Sequence, residues 1–272
     1  LEKLAQQGAS LQVLDIVFTA SQSDDDALKK SLHQHRPVLA QAFALPQQGG
    51  VTQAGQLTGA LDWASCLAPF SEASGFLANS QSLLKAEEKL VPPLSAGHIT
   101  PRLSQDGVVR QQPAILCFQD KAYPALGIAA AGQGAQSRSW TLQRGKGWTE
   151  APWSLSSASS TFQPVPLNEV GDIRVPWWSR PDNFASVSAL DVLTDKVPPQ
   201  LMRNAWVLVG SSAFGLNDTI ATPFASAAAG MLVHAQVITG LIDGRVPYSP
   251  LGTPIIQALA IVLGLLMLIL WI

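Results

Sequence analysis

With 272 residues the chain is long enough for one large domain or two small ones, with a well-buried core. Charged residues make up 13% and apolar residues 47%, which excludes disorder as the main theme and leaves a globular or partly membranous protein. Seventeen Lys and Arg against 19 Asp and Glu give a net charge of −2 with no basic run, so nucleic acid is excluded as a partner class.

Residues 2–7 read as the end of a helix closed by Gly8, and residues 11–18 as a buried strand with Asp15 in its middle. Ser23 to Asp26 offer N-cap oxygens to a helix at 27–35, and Pro37 admits a second strand at 38–43. Such αβαβ alternation predicts a mainly parallel sheet with helices on its faces. Residues 46–50 read as a loop and 57–68 as a short helix. Asp106-Gly107 marks a hairpin turn between strands at 99–103 and 108–118, and a helix is expected near 124–131. Residues 132–167, rich in Gly, Ser, Gln and Pro, read as excursion loops with a strand near 140–143. A strand at 172–177 and a short helix at 188–194 follow. The run AWVLV at 205–209 is a continuously apolar strand entering Gly210-Ser211-Ser212, and residues 227–242 form a helix closed by Gly244. The expected fold is α/β: a single domain over residues 1–250, its mainly parallel mixed sheet flanked by helices, then a transmembrane helix at 255–272.

That last segment explains the low charge. After Arg245 there is no charged residue, and 255–272 is apolar except for Gln257, 18 residues toward the roughly 20 that span a bilayer. It is apolar on every face, unlike a core helix, and Trp271 suits the interface. The chain begins at Leu1 without a Met or signal peptide and stops with the span, so it reads as a fragment at both ends.

Cys66 and Cys117 show no metal-ligand spacing with each other or with the four histidines, and no metal or other cofactor is expected. They fit a disulfide in an oxidising compartment or two free thiols, and the tendency of free Cys to be buried favours thiols. The loop after the 205–209 strand sits where open α/β sheets place ligands, which makes Ser211, Ser212 and Asp218 candidates. It lacks the second glycine of a nucleophile elbow and the Lys of a phosphate loop. His234 flanks an expected stripe of Met231, Ala235, Ile238 and Ile242, which favours a hydrogen-bonded packing role over pairing with Asp218. Asp15 is the most suspicious carboxylate, because an apolar strand must pair it, hydrogen-bond it or expose it. His33 and His35 form an H-x-H expected in solvent, Asp106 and Arg110 a turn pair, and Trp177-Trp178 loop anchors or a ligand wall. No set of residues assembles an enzyme.

Three segments, LQVLDIVFTA with the following DDDALKKSL, GHITPRLSQDGVVRQQP at 97–113, and SALDVL with AWVLVGSSAFGLNDTIATPFASAAAGMLVHAQVITGLIDG at 188–244, together resemble the type-two branch of the CHASE domains. The resemblance implies an extracytoplasmic α/β sensor of a bacterial receptor, in the periplasm or outside the cell. It would be tethered in the cytoplasmic membrane to an output such as a nucleotide cyclase, diguanylate cyclase or protein kinase that is not in this chain. Members usually begin with a strand upstream of the helix that here starts at Leu1. The family supplies no catalytic set, and Gly210, Ser211, Asp218, Thr222, Pro223, Gly230 and His234 match its pattern without an assigned role. The expected partners are the membrane, a second copy in a homodimer, and a small-molecule or protein stimulus. A small ligand is expected beyond the 205–209 strand, neutral or weakly anionic because no Lys or Arg is near. The alternatives are a membrane-anchored hydrolase using Ser212, His234 and Asp218, and a structural assembly module.

Overall fold

The computed structural model describes residues 1–20, 25–46, 52–85, 94–137, 139–159, 162–211 and 219–271. Strands β1 (Leu11–Asp15), β2 (Val38–Ala44), β3 (Ala96–His98) and β4 (Trp206–Gly210) lie in the order β4-β1-β2-β3, each neighbouring pair parallel. Their runs are apolar on both faces because helices cover both. Val13, Val38 and Ala40 meet Leu126 and Ala130 of helix α3 (Leu126–Gly134) and Ile238 of helix α4 (Met231–Ile242). On the other face, Leu14 and Leu39 pack on Leu32 of helix α2 (Asp25–His35), while Leu4 of helix α1 (Glu2–Gln6) packs toward Val207 and Val209. The far half of β2 turns away from β3 to pair antiparallel with Gly75–Leu77, which gives a mixed sheet.

The rest of the chain is more β-rich than its composition suggests. Residues 132–167 are not mainly loop: Trp140–Arg144, Trp153–Ser157 and Val165–Leu167 form a three-stranded antiparallel sheet. The predicted hairpin exists, with Arg102–Leu103 against Val109–Pro113. Its second strand ends at Pro113, which has no N–H to extend the ladder, and Ile115–Phe118 begins a separate hairpin with Lys121–Pro124. Residues 57–68 form no helix. Trp63 anchors that stretch by donating its indole N–H to the Trp140 carbonyl at 2.8 Å, and Cys66 is bonded to Cys117. The two thiols are therefore paired, not free: the chain folds their Cα atoms to within 5.7 Å.

Helix α4 joins the two parts. Val233, Val237 and Leu241 face the antiparallel sheets through Val109, Leu155, Leu167 and Ile173, while Ile238 faces the parallel sheet. The expected stripe of Met231, Ala235, Ile238 and Ile242 is thus not the buried one, and Ile242 is 51% exposed. A helix packed on two sides has no single apolar face for periodicity to find. Gly244, with φ +63°, ends it in the left-handed region. Helix α5 (Thr253–Trp271) stands apart with no buried residue and a mean hydropathy of 2.5, long and apolar enough to cross a membrane. The protein is a single α/β domain followed by this helix.

Candidate functional site

The C-terminal ends of β1 and β4 meet where Asp15 stands opposite Gly210. The first turn of α4 closes over them. A Cβ on Gly210 would lie 3.2 Å from Met231 Cβ and Sδ, so the glycine allows the helix this close. The approach places His234 Nε2 4.0 Å from Asp15 Oδ1, both side chains 4% exposed. Burial pushes the Asp15 carboxyl up to about 6. Ser211 follows directly after β4, half-buried at the rim. Ser212 and Asp218 lie outside the described residues, and so do the loop they belong to and any contact between them and His234.

A second buried histidine stands at the end of β3. His98 is fully buried, its ring edge-on to Phe43 with centroids 6.2 Å apart. Burial first, and then the charge of nearby His234, drives it down to about 3, against a smaller upward pull from the Pro113 carbonyl. His33 and His35 are half-buried on α2 rather than in solvent. Among the described residues no group of three His, Cys, Asp or Glu is placed to hold a metal.

The segment between α4 and α5 is fastened along its length. The Arg245 amide donates to Gly240 at 2.9 Å, and the Trp178 indole donates to the Arg245 carbonyl at 2.9 Å. Arg174 Nη2 donates to Ser249 Oγ at 3.2 Å and the Tyr248 hydroxyl to the Thr149 carbonyl at 3.1 Å. Leu251 and Gly252 amides donate to Glu150 and Trp148 at 2.9 and 2.8 Å. Two grooves include residues of this region in their walls, and Ser211 lines neither. One, of about 430 Å³, is lined by Arg102, Arg110, Gln111, Arg174, Trp177 and Pro223 among others. The other, of about 610 Å³, lies beside α4 and the linker, with Trp178, Gln236, Asp243 and Arg245 in its wall.

The family model of the CHASE2 domain matches residues 1–272, the whole chain. The chain belongs to the CHASE2 family. No curated protein and no solved structure matches it. CHASE2 is a sensor-domain family of transmembrane receptors and is not catalytic. Thr222, Gly210, Gly230 and His234 lie at or around the start of α4. Thr222, buried, accepts the Phe224 and Ala225 amides at 3.3 and 3.1 Å, turning the chain before the helix. Gly230 caps the helix, and Gly210 and His234 form its contact with the sheet. Within the CHASE2 domain, Asp106 and Arg110 make the bidentate turn pair at 2.7 and 2.8 Å. Trp177 both anchors its loop, donating to the Val109 carbonyl at 3.0 Å, and walls a groove. Sequence reasoning missed His98, the Arg102–Asp172 pair and Arg174. The pair bridges 70 residues at 2.5 Å with the Asp172 side chain fully buried, and no local spacing rule announces a contact so remote in sequence.

Proposed function

We propose that this CHASE2 domain is the sensing module of a bacterial transmembrane receptor. In this reading it stands in the periplasm or outside the cell and is held in the cytoplasmic membrane by α5. It acts on a nucleotide cyclase, diguanylate cyclase or protein kinase output elsewhere in the receptor. The observation that carries the reading is the fastened linker: the domain grips residues 245–252 by hydrogen bonds and passes straight into an exposed apolar helix. Pro247 and Pro250 in that stretch, and Pro254 in the first turn of α5, keep the connection from absorbing motion. The Asp15, Ser211 and His234 set at the strand ends, with Ser212 and Asp218 next to it in sequence, is the hinge through which α4 is held, and a change there moves the linker. The Cys66–Cys117 bond supports an oxidising compartment. A single spanning helix conveys movement only relative to another body in the membrane, and a second copy of the receptor supplies the simplest one.

Reporter fusions in the receptor test the placement. Alkaline phosphatase joined after residue 250 is expected to be active, since it folds only outside the cytoplasm, and the same enzyme joined after residue 272 inactive. Activity only in the second fusion would overturn the reading.

A further inference from the structure

Three guanidinium groups line one groove, two of them aligned by strand register. Arg102, Gln111 and Arg174 stand opposite one another across the antiparallel strands Arg102–Leu103, Val109–Pro113 and Asp172–Arg174. Directly opposed residues share a face, so the neutral Gln111 amide separates two cations. Arg110 adds a third from the same groove wall. Their partners differ. Arg102 is bound to Asp172 and Ser71, and Arg110 is chelated by Asp106. Among the described residues Arg174 has no carboxylate partner, only the Ser249 hydroxyl of the linker. The groove therefore carries one uncompensated positive charge. The rest of its wall is apolar at Leu103, Val175, Trp177 and Pro223, with Ser104 between the first of these and the turn.

We propose that this groove binds a small monocarboxylate with an apolar body, held by the Arg174 guanidinium, and that binding draws Arg174 away from Ser249 and so releases one fastening of the membrane linker. The charge count selects the ligand class. One free guanidinium matches one carboxylate in a planar fork, whereas a phosphate dianion would leave a negative charge unmatched. Trp177 and Pro223 suit a flat or short aliphatic body. This departs from the ligand position expected beyond the 205–209 strand, a stretch whose sequence carries no Lys or Arg through residue 244. The signalling half of the inference rests on the sensor reading, and the binding half does not.

Calorimetric titration of the whole chain in detergent micelles tests the binding half, with benzoate as the probe and the uncharged benzamide and inorganic phosphate as controls. Benzoate is expected to bind at least tenfold more tightly than either control. Arg174→Gln should weaken it at least tenfold, and Ser249→Ala should leave it within twofold or tighten it. Arg174 is exposed, so the Gln variant keeps the fold, which its tryptophan near-UV signal verifies. Binding that survives Arg174→Gln, or that is matched by benzamide or phosphate, overturns the site. The second arm adds benzoate to cells carrying the receptor. Output is expected to change in the wild type and not in Arg174→Gln or Ser249→Ala. A full response in Ser249→Ala overturns the proposed route, and tight benzoate binding with no output change in the wild type overturns the sensor role while leaving the site standing.

Discussion

A carboxylate buried beside an imidazole makes stability depend on pH, and the direction follows from where the proton sits. Asp15 titrates at about 6 in the folded protein and close to 3.8 when exposed. As pH rises through that window the unfolded chain loses its proton first. The stability this group contributes is complete below its unfolded value and gone above about 6, a cost of about 3 kcal/mol at neutral pH. His98 acts in the opposite sense: held down to about 3 by burial, it contributes stability near neutrality that is lost as pH falls through and below its ordinary value of 6.5. The test is accordingly a difference between two chains. Asp15→Asn is expected to be more stable than the wild type by about 3 kcal/mol at pH 7, the advantage vanishing by about pH 4, in urea unfolding at each pH. An advantage that does not change with pH would show that the carboxyl is not strained by burial. Asp15 was legible in the sequence because a charge inside an apolar strand demands an explanation. His98 was not, since a three-residue strand has no periodicity of its own, and Arg102, Asp172 and Arg174 acquire meaning only through register between distant strands.

Elements differ in how much of them the chain announces locally. Three of the four parallel strands were readable because Leu11–Asp15, Val38–Ala44 and Trp206–Gly210 are nearly continuous apolar runs, whereas Ala96–His98 lies just before the strand expected at 99–103. The strand Trp140–Arg144 was expected near 140–143, but its partner Trp153–Ser157 was hidden, since Ser154, Ser156 and Ser157 give it the composition of a loop. The stripe of α4 was misread because two layers pack on it. The irregular segment around Cys66 is only partly buried, resting on the core through Leu61, Trp63 and Phe70, and its disulfide closes a sequence separation of 51 residues. Loop-closure entropy assigns such a crosslink about 4 kcal/mol, of which about 2–4 kcal/mol is commonly realised. Replacing Cys66 and Cys117 together by Ser is expected to lower stability by that amount. Reductant should lower the wild type to the same midpoint and leave the double variant unchanged. A wild type indifferent to reductant would show that the bond contributes nothing.

At the scale of the whole molecule, the domain and α5 follow different solvents. The domain gathers a buried apolar core, whereas α5 buries none of its own residues, which is stable only where lipid replaces water. An arginine at the middle of such a helix costs about 3 kcal/mol on insertion. Leu263→Arg is therefore expected to cut the fraction of the chain that resists carbonate extraction from membranes, while Trp148→Arg, on the exposed turn that holds the linker, leaves it unchanged. Equal extraction of both variants and the wild type would show that α5 is not the anchor.

The central claim is that the state of the domain reaches the membrane through the fastened linker, and a double perturbation measures it most directly. Gly210→Ala sets a methyl group 3.2 Å from Met231 Cβ and Sδ, so that the first turn of α4 or its side chain gives by a few tenths of an ångström without the linker being touched. Several Gly-Ser pairs inserted between Tyr248 and Gly252 loosen the linker without touching the sheet. Output per receptor molecule is measured in the wild type, each variant and the combination. Gly210→Ala is predicted to shift output when the linker is native and to have no effect when it is loosened. A shift of the same size in both backgrounds, or none in either, would contradict the account.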